Sequence, residues 1–179
     1  MELFGITILT SFLFCLAGGL FFADKTPLRS FLAEFPRSRK LAHLFISLSV
    51  FWFLYRHVSQ LSEADFGEYK VLIGILSIGI AIGSCFFVSD FLAVRGLSIL
   101  ILFYSREALD LAFLQEPASR LYLVAIVYAL VIGALYFGAW PFKMRDFMKW
   151  VLSKRTRSRN LGLLLILNGV LMTITALSY

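Results

Sequence analysis

The chain has 179 residues, of which 60% are hydrophobic and only 16% charged. Its mean hydropathy is +0.85, well above a soluble domain, in which about 45–50% of residues are apolar. That composition excludes an ordinary soluble enzyme and leaves room for one compact transmembrane domain over residues 1–179. A bilayer core about 30 Å thick takes roughly 20 apolar residues per helical span. Six such runs, about 3–22, 41–58, 70–88, 91–113, 119–138 and 161–177, account for most of the sequence. The predicted fold is an all-α integral membrane protein of six transmembrane helices, arranged as three helical hairpins with short amphipathic helices at the cytoplasmic interface. Pro27, Pro36, Pro117 and Pro141 all fall between the runs, so the spans are expected to be unbroken helices.

The first run opens Met1-Glu2-Leu3-Phe4. A secretory signal would carry a basic leader and a small-residue cleavage site, so this run reads as a retained span. Cys15 and Cys85 both lie inside apolar runs and read as small packing residues, not as a disulfide pair or a zinc site.

The connection over 24–40 contains Leu28, Phe31, Leu32 and Phe35 at helical spacing, with Arg29, Ser30, Ala33 and Glu34 on the other side. This pattern predicts a surface helix lying in the membrane interface. Arg37, Arg39 and Lys40 follow it into the second span.

The second span holds both histidines, His43 and His57, fourteen residues apart, or about 21 Å along a helix. The spacing is like that of paired haem ligands on one helix. Each haem would need a second histidine from another helix, and the chain has only these two. No cofactor and no metal site are expected.

In the third span Gly79 and Gly83 form a G-x-x-x-G. In the fifth, Ala125, Ala129 and Gly133 form a small-residue stripe. Both are expected to let neighbouring helices approach closely. A short turn with Asp90 and Arg95 joins the third span to the fourth.

The fourth span carries Arg106, Glu107 and Asp110. Arg106 falls about 22 Å along the helix from Phe91, in the outer third of a bilayer core. Arg106 and Asp110 are four apart and can pair on one face. Ionisable groups at that depth are candidate ligand or ion contacts, against the plainer reading that they mark the end of the span. Asn168, midway along the sixth span, is the other candidate, against a role as interhelical glue.

The fifth connection carries Phe147, Trp150 and Val151 interleaved with Lys143, Arg145 and Lys149, a second amphipathic surface helix, followed by Arg157 and Arg159. Arg29, Arg37, Arg39, Lys40, Arg145, Lys149, Arg157 and Arg159 together form a candidate surface for anionic membrane lipid.

Thirteen of the 17 basic residues lie in the first, third and fifth connections. Positive connections stay cytoplasmic, so both termini are expected on the non-cytoplasmic side of an inner membrane. The first and last hairpins also read as copies: Leu20-Phe21-Phe22-Ala23 parallels Leu135-Tyr136-Phe137-Gly138, and Arg37-Ser38-Arg39 parallels Arg157-Ser158-Arg159. A shrunken third copy, with Asp90-Phe91-Leu92, would sit in the middle hairpin.

No phosphate loop, nucleophile elbow, zinc-protease helix or paired-cysteine motif occurs. Topology accounts for the basic balance, so nucleic acid is not implied. The leading expectation is a non-enzymatic accessory, assembly or scaffold subunit that works through its lipid-facing and basic surfaces, with a possible protein partner in a membrane complex. The alternative is a small-solute or ion transporter or channel using Arg106, Glu107, Asp110 and Asn168. A continuous polar cavity would favour transport, and a packed interior the accessory role.

Overall fold

The computed structural model describes residues 2–23, 26–62, 67–87 and 90–179. Asp24, Lys25, Glu63 and Asp65 of the first two connections lie outside these residues. Among the described residues every regular element is helical. Eight α-helices follow one another: α1 (Glu2–Ala23), α2 (Thr26–Glu34), α3 (Arg39–Phe53), α4 (Lys70–Phe87), α5 (Leu92–Ala112), α6 (Arg120–Ala139), α7 (Pro141–Ser153) and α8 (Arg155–Leu177). The prolines stand where a helix tolerates them. Pro141 opens α7, where its missing N–H costs nothing, and Pro36 sits in a tight turn between α2 and α3.

Five segments are long and apolar enough to cross a membrane: Glu2–Ala23, Arg39–Val58, Gly67–Phe87, Arg120–Ala139 and Arg155–Leu177. The last begins six residues before the expected 161, because Arg155, Arg157 and Arg159 continue the helix. Arginine is a good helix former, so the helix outruns its apolar stretch. One extended residue, Lys154 (φ −127°, ψ 133°), separates it from α7.

α5 has the length of a span but more charge than the other five. It is also the most buried helix, enclosing Ala93, Val94, Gly96, Ser98, Ser105 and Ala108, among others. It packs along α3 on one side and α6 on the other. A helix surrounded by protein can carry small and polar residues that a lipid-facing helix cannot, because neighbouring groups satisfy them. α4 is the converse: apolar all round, with no buried residue, and held to the rest chiefly along α3.

The tightest pair is α1 with α8, the first and last helices of the chain. Their backbones meet at glycines. A Cβ added to Gly169 would come within 2.5 Å of Cys15 Sγ and 2.9 Å of the Ser11 carbonyl oxygen. Ser11 Oγ donates to the Gly169 carbonyl at 2.7 Å and lies 2.6 Å from Thr173 Oγ1, and Ser158 Oγ donates to the Phe21 carbonyl at 2.8 Å.

Three expectations are corrected here. The helices joined at the three basic turns are not the packing units: α1 does not pair with α3, nor α4 with α5, and α6 meets α8 only lightly, whereas α1–α8, α5–α6 and α3–α5 are the extensive contacts. The expected close approach at Gly79, Gly83 and Gly133 is not found; among the described residues nothing lies within 4 Å of a Cβ at any of them. The small-residue stripe of α6 also faces outward at Ala125 and Ala129, while Leu123, Val127 and Ala134 are the residues α6 buries. A small-residue spacing makes a notch, but the neighbours decide whether it is filled.

Both amphipathic surface helices are present. α7 buries Met148, Val151 and Leu152 and leaves Trp150 exposed. Of the first stripe, Phe35 is buried and Leu32 packs near Phe21 and Met148, while Phe31 faces outward. α2 lies against α7, so the two connections share one end of the bundle. The order of long, short and long helix occurs at both ends of the chain.

Candidate functional site

Arg106, Glu107 and Asp110 of α5 lie at the end of the bundle opposite α2 and α7. They meet the end of α3 there, which widens into a π-helical turn over Leu54–Val58. Its defining bond runs from Ser59 N–H to the Leu54 carbonyl, five residues apart, at 2.9 Å. Such insertions re-aim the side chains they carry, and this one carries Arg56 and His57. Arg56 Nε donates to Glu107 Oε1 and Arg56 Nη2 to Glu107 Oε2, both at 2.9 Å. This is the two-pronged geometry that matches a guanidinium to a carboxylate. His57 Nε2 lies 3.3 Å from Arg106 Nη1, and its ring meets Phe53 and Phe103 edge-on at 5.8 and 5.4 Å.

The expected pairing within α5 is the weakest link. Arg106 Nε and Asp110 Oδ2 are 3.8 Å apart, with both side chains more than 60% exposed. The firm partner in the cluster is Glu107, through Arg56 on a different helix. Arg56 and His57 are thus members of the site that the sequence reading did not nominate. Their pairing depends on α3 lying beside α5, and helix adjacency leaves no mark in a single sequence.

Asn168 does not join this cluster. Its Oδ1 accepts from Tyr122 Oη at 2.9 Å, and its Nδ2 donates to the Leu164 carbonyl at 2.8 Å. It belongs to the seam between α6 and α8. Between the two lies packed protein: Ala108, Leu123, Val127 and Met172 are fully buried, and Tyr104 Oη contacts Thr10 Oγ1 at 2.5 Å.

A cavity of about 520 Å³ opens between α1, α3 and α5, with Arg56 and Glu107 at its edge and walls of Leu9, Leu48, Trp52 and Leu111. Its interior is apolar, and its two charged groups are bonded to each other. It has the character of a side pocket for hydrocarbon, not of a polar vestibule. Among the described residues no three His, Cys, Asp or Glu side chains are grouped to hold a metal ion.

Of the eight basic residues nominated for lipid, five engage the chain itself. Arg29 donates to the Leu152 carbonyl. Arg37 and Arg145 lie over the Phe91 ring at 5.5 and 5.8 Å, Arg157 over Trp150 at 4.6 Å and Arg159 over Phe22 at 6.0 Å. Arg145 also pairs with Asp146 at 2.8 Å. Arg39, Lys40 and Lys149 are exposed and make no ion pair among the described residues.

No protein-family model, curated protein sequence or solved structure matches this chain.

Proposed function

We propose that the chain is a six-span inner-membrane protein that serves as a non-enzymatic accessory, assembly or scaffold subunit. α5, the fourth span in chain order, completes the six. The end that bears α2 and α7 faces the cytoplasm and its anionic lipid, and residues 2 and 179 lie on the opposite side. The basic excess of the first, third and fifth connections supports that orientation.

The observation that carries the reading is where the nominated polar groups go. Glu107 is closed by Arg56, and Asn168 by Tyr122, on separate seams of the bundle. A transport path needs such groups to face a shared space. Here they act as fasteners between helices, and the apolar outer surface is left as the means of contact. α4, apolar all round and without a buried residue, offers the broadest such surface to a helix of a partner subunit.

The test is native mass spectrometry of the protein solubilised gently from its own membrane. A stoichiometric protein partner that is lost when Leu76→Ser and Ile80→Ser are introduced on α4 is the expected result. A lone chain or homo-oligomer that retains a small solute, released by Arg106→Gln or Asn168→Leu, would overturn the reading in favour of transport.

A further inference from the structure

α4 touches the bundle so lightly that a groove runs along its junction with α3. The groove is about 540 Å³ in volume and apolar, lined by Val50 and Phe51 of α3, by Leu54 of the π-helical turn and by Ile78 and Ile82 of α4. At its basic end it includes His43, Cys85 and Phe86, and these same residues line an adjoining cavity of about 340 Å³ with Arg39. Arg39 and His43 stand one turn apart on α3 and so share a face. A hydrocarbon-lined channel thus ends on a guanidinium and an imidazole.

The dimensions fit one leaflet. From His43 to Leu54 is about 16 Å of helix, and half of a bilayer core is about 15 Å. The charge fits as well. Arg39 makes no ion pair among the described residues, whereas the arginines over Phe91 and Trp150 are occupied by those rings. Another arginine-lined cavity, about 370 Å³ between α5 and α6, has Arg95 as its one charged lining residue.

We propose that the α3–α4 groove holds one anionic phospholipid, its headgroup phosphate on Arg39 and His43 and an acyl chain along Val50, Phe51, Ile78 and Ile82. The inference rests on the membrane-spanning reading and goes beyond it in naming one lipid and its seat. Arg39 supplies fixed positive charge and His43 a ring N–H donor in either protonation state. The chain fills space that the α3–α4 contact leaves open, so the lipid fastens α4 to the bundle.

Resistance of the protein to alkaline extraction from membranes is checked first, and loss on extraction would sink the membrane reading itself. The full chain, purified in mild detergent, is then titrated with phosphatidylglycerol, phosphatidylcholine or inorganic phosphate and followed by native mass spectrometry. One phosphatidylglycerol should be retained. An Arg39→Gln, His43→Gln double variant should weaken it about tenfold or more, the weight of a charge-assisted hydrogen bond. Ile78→Trp, which fills the groove about two turns of α4 away from Cys85 and Phe86 and leaves Arg39 and His43 in place, should release it too. Arg95→Gln should leave it bound, and unchanged circular dichroism should show each variant folded. Equal retention of phosphatidylcholine, displacement by inorganic phosphate, or full retention by either groove variant would overturn the proposal.

Discussion

Gly18 and Gly162 bring the backbones of α1 and α8 into contact: a Cβ on either would lie 2.7 Å from the carbonyl oxygen of the other. Real Cβ atoms do not approach an oxygen so closely, and a backbone carbonyl cannot swing aside as a flexible side chain can. Gly18→Ala or Gly162→Ala must therefore push the two helices apart. Overpacking of this kind costs about 1–3 kcal/mol. Thermal unfolding of helicity in detergent should show that loss. Gly79→Ala and Gly133→Ala meet open space, and should be neutral or gain about 0.5–1 kcal/mol from the better helix former.

The same seam carries Ser11, whose hydroxyl is bonded to both Gly169 and Thr173. Ser11→Ala removes both bonds, while the Gly169 carbonyl keeps the Thr173 hydroxyl as a donor at 3.2 Å. Interhelical bonds of this type are worth about 0.6 kcal/mol on average and at most about 1.7, so a loss in that range is expected. Ser105 gives the opposite sign. Its hydroxyl is fully buried in α5 with no bonding partner among the described residues, and an unsatisfied buried group costs about 1–3 kcal/mol. Ser105→Ala should raise the unfolding temperature.

The long apolar helices are legible because an apolar run of about 20 residues between charged connections has few other solutions, and the short helices between them because Leu28 to Phe35 and Phe147 to Val151 keep a helical stripe. Helix neighbours are not. Gly18 and Gly162 look no different in sequence from Gly79 and Gly83, yet one pair closes a seam and the other faces outward. The charge of α5 marks it out as a candidate site in the sequence; in the fold Arg106 and Asp110 stand more than 60% exposed, and Glu107 pairs with Arg56 of a neighbouring element. Arg56, which holds Glu107, is not singled out by the sequence, because nothing local ties it to α5.

Arg56 and Glu107 should behave as one unit. Glu107→Gln leaves the guanidinium without its forked acceptor, and Arg56→Gln leaves a carboxylate that is less than one-fifth exposed. Each single variant should lower stability, and the double variant should lose much less than the two losses added together. Strict additivity in that cycle would mean that the pair does not hold α3 to α5.

Phe91 combines a backbone cost with two ring contacts. Its φ of 57° lies in the left-handed region, which costs an ordinary residue about 1–2 kcal/mol. Arg37 from the turn after α2 and Arg145 from α7 both lie over its ring, each contact worth about 0.5–1 kcal/mol at an exposed site. The ring thus joins three elements at the basic end and offsets the strained entry into α5. Phe91→Leu keeps the strain and loses both guanidinium contacts, so it should destabilise by about 1–2 kcal/mol. Phe91→Gly loses the same contacts but removes the strain, so its net change should be close to zero. Equal losses in the two variants, measured by chemical unfolding in the same detergent, would show that the left-handed turn carries no strain for the ring to offset.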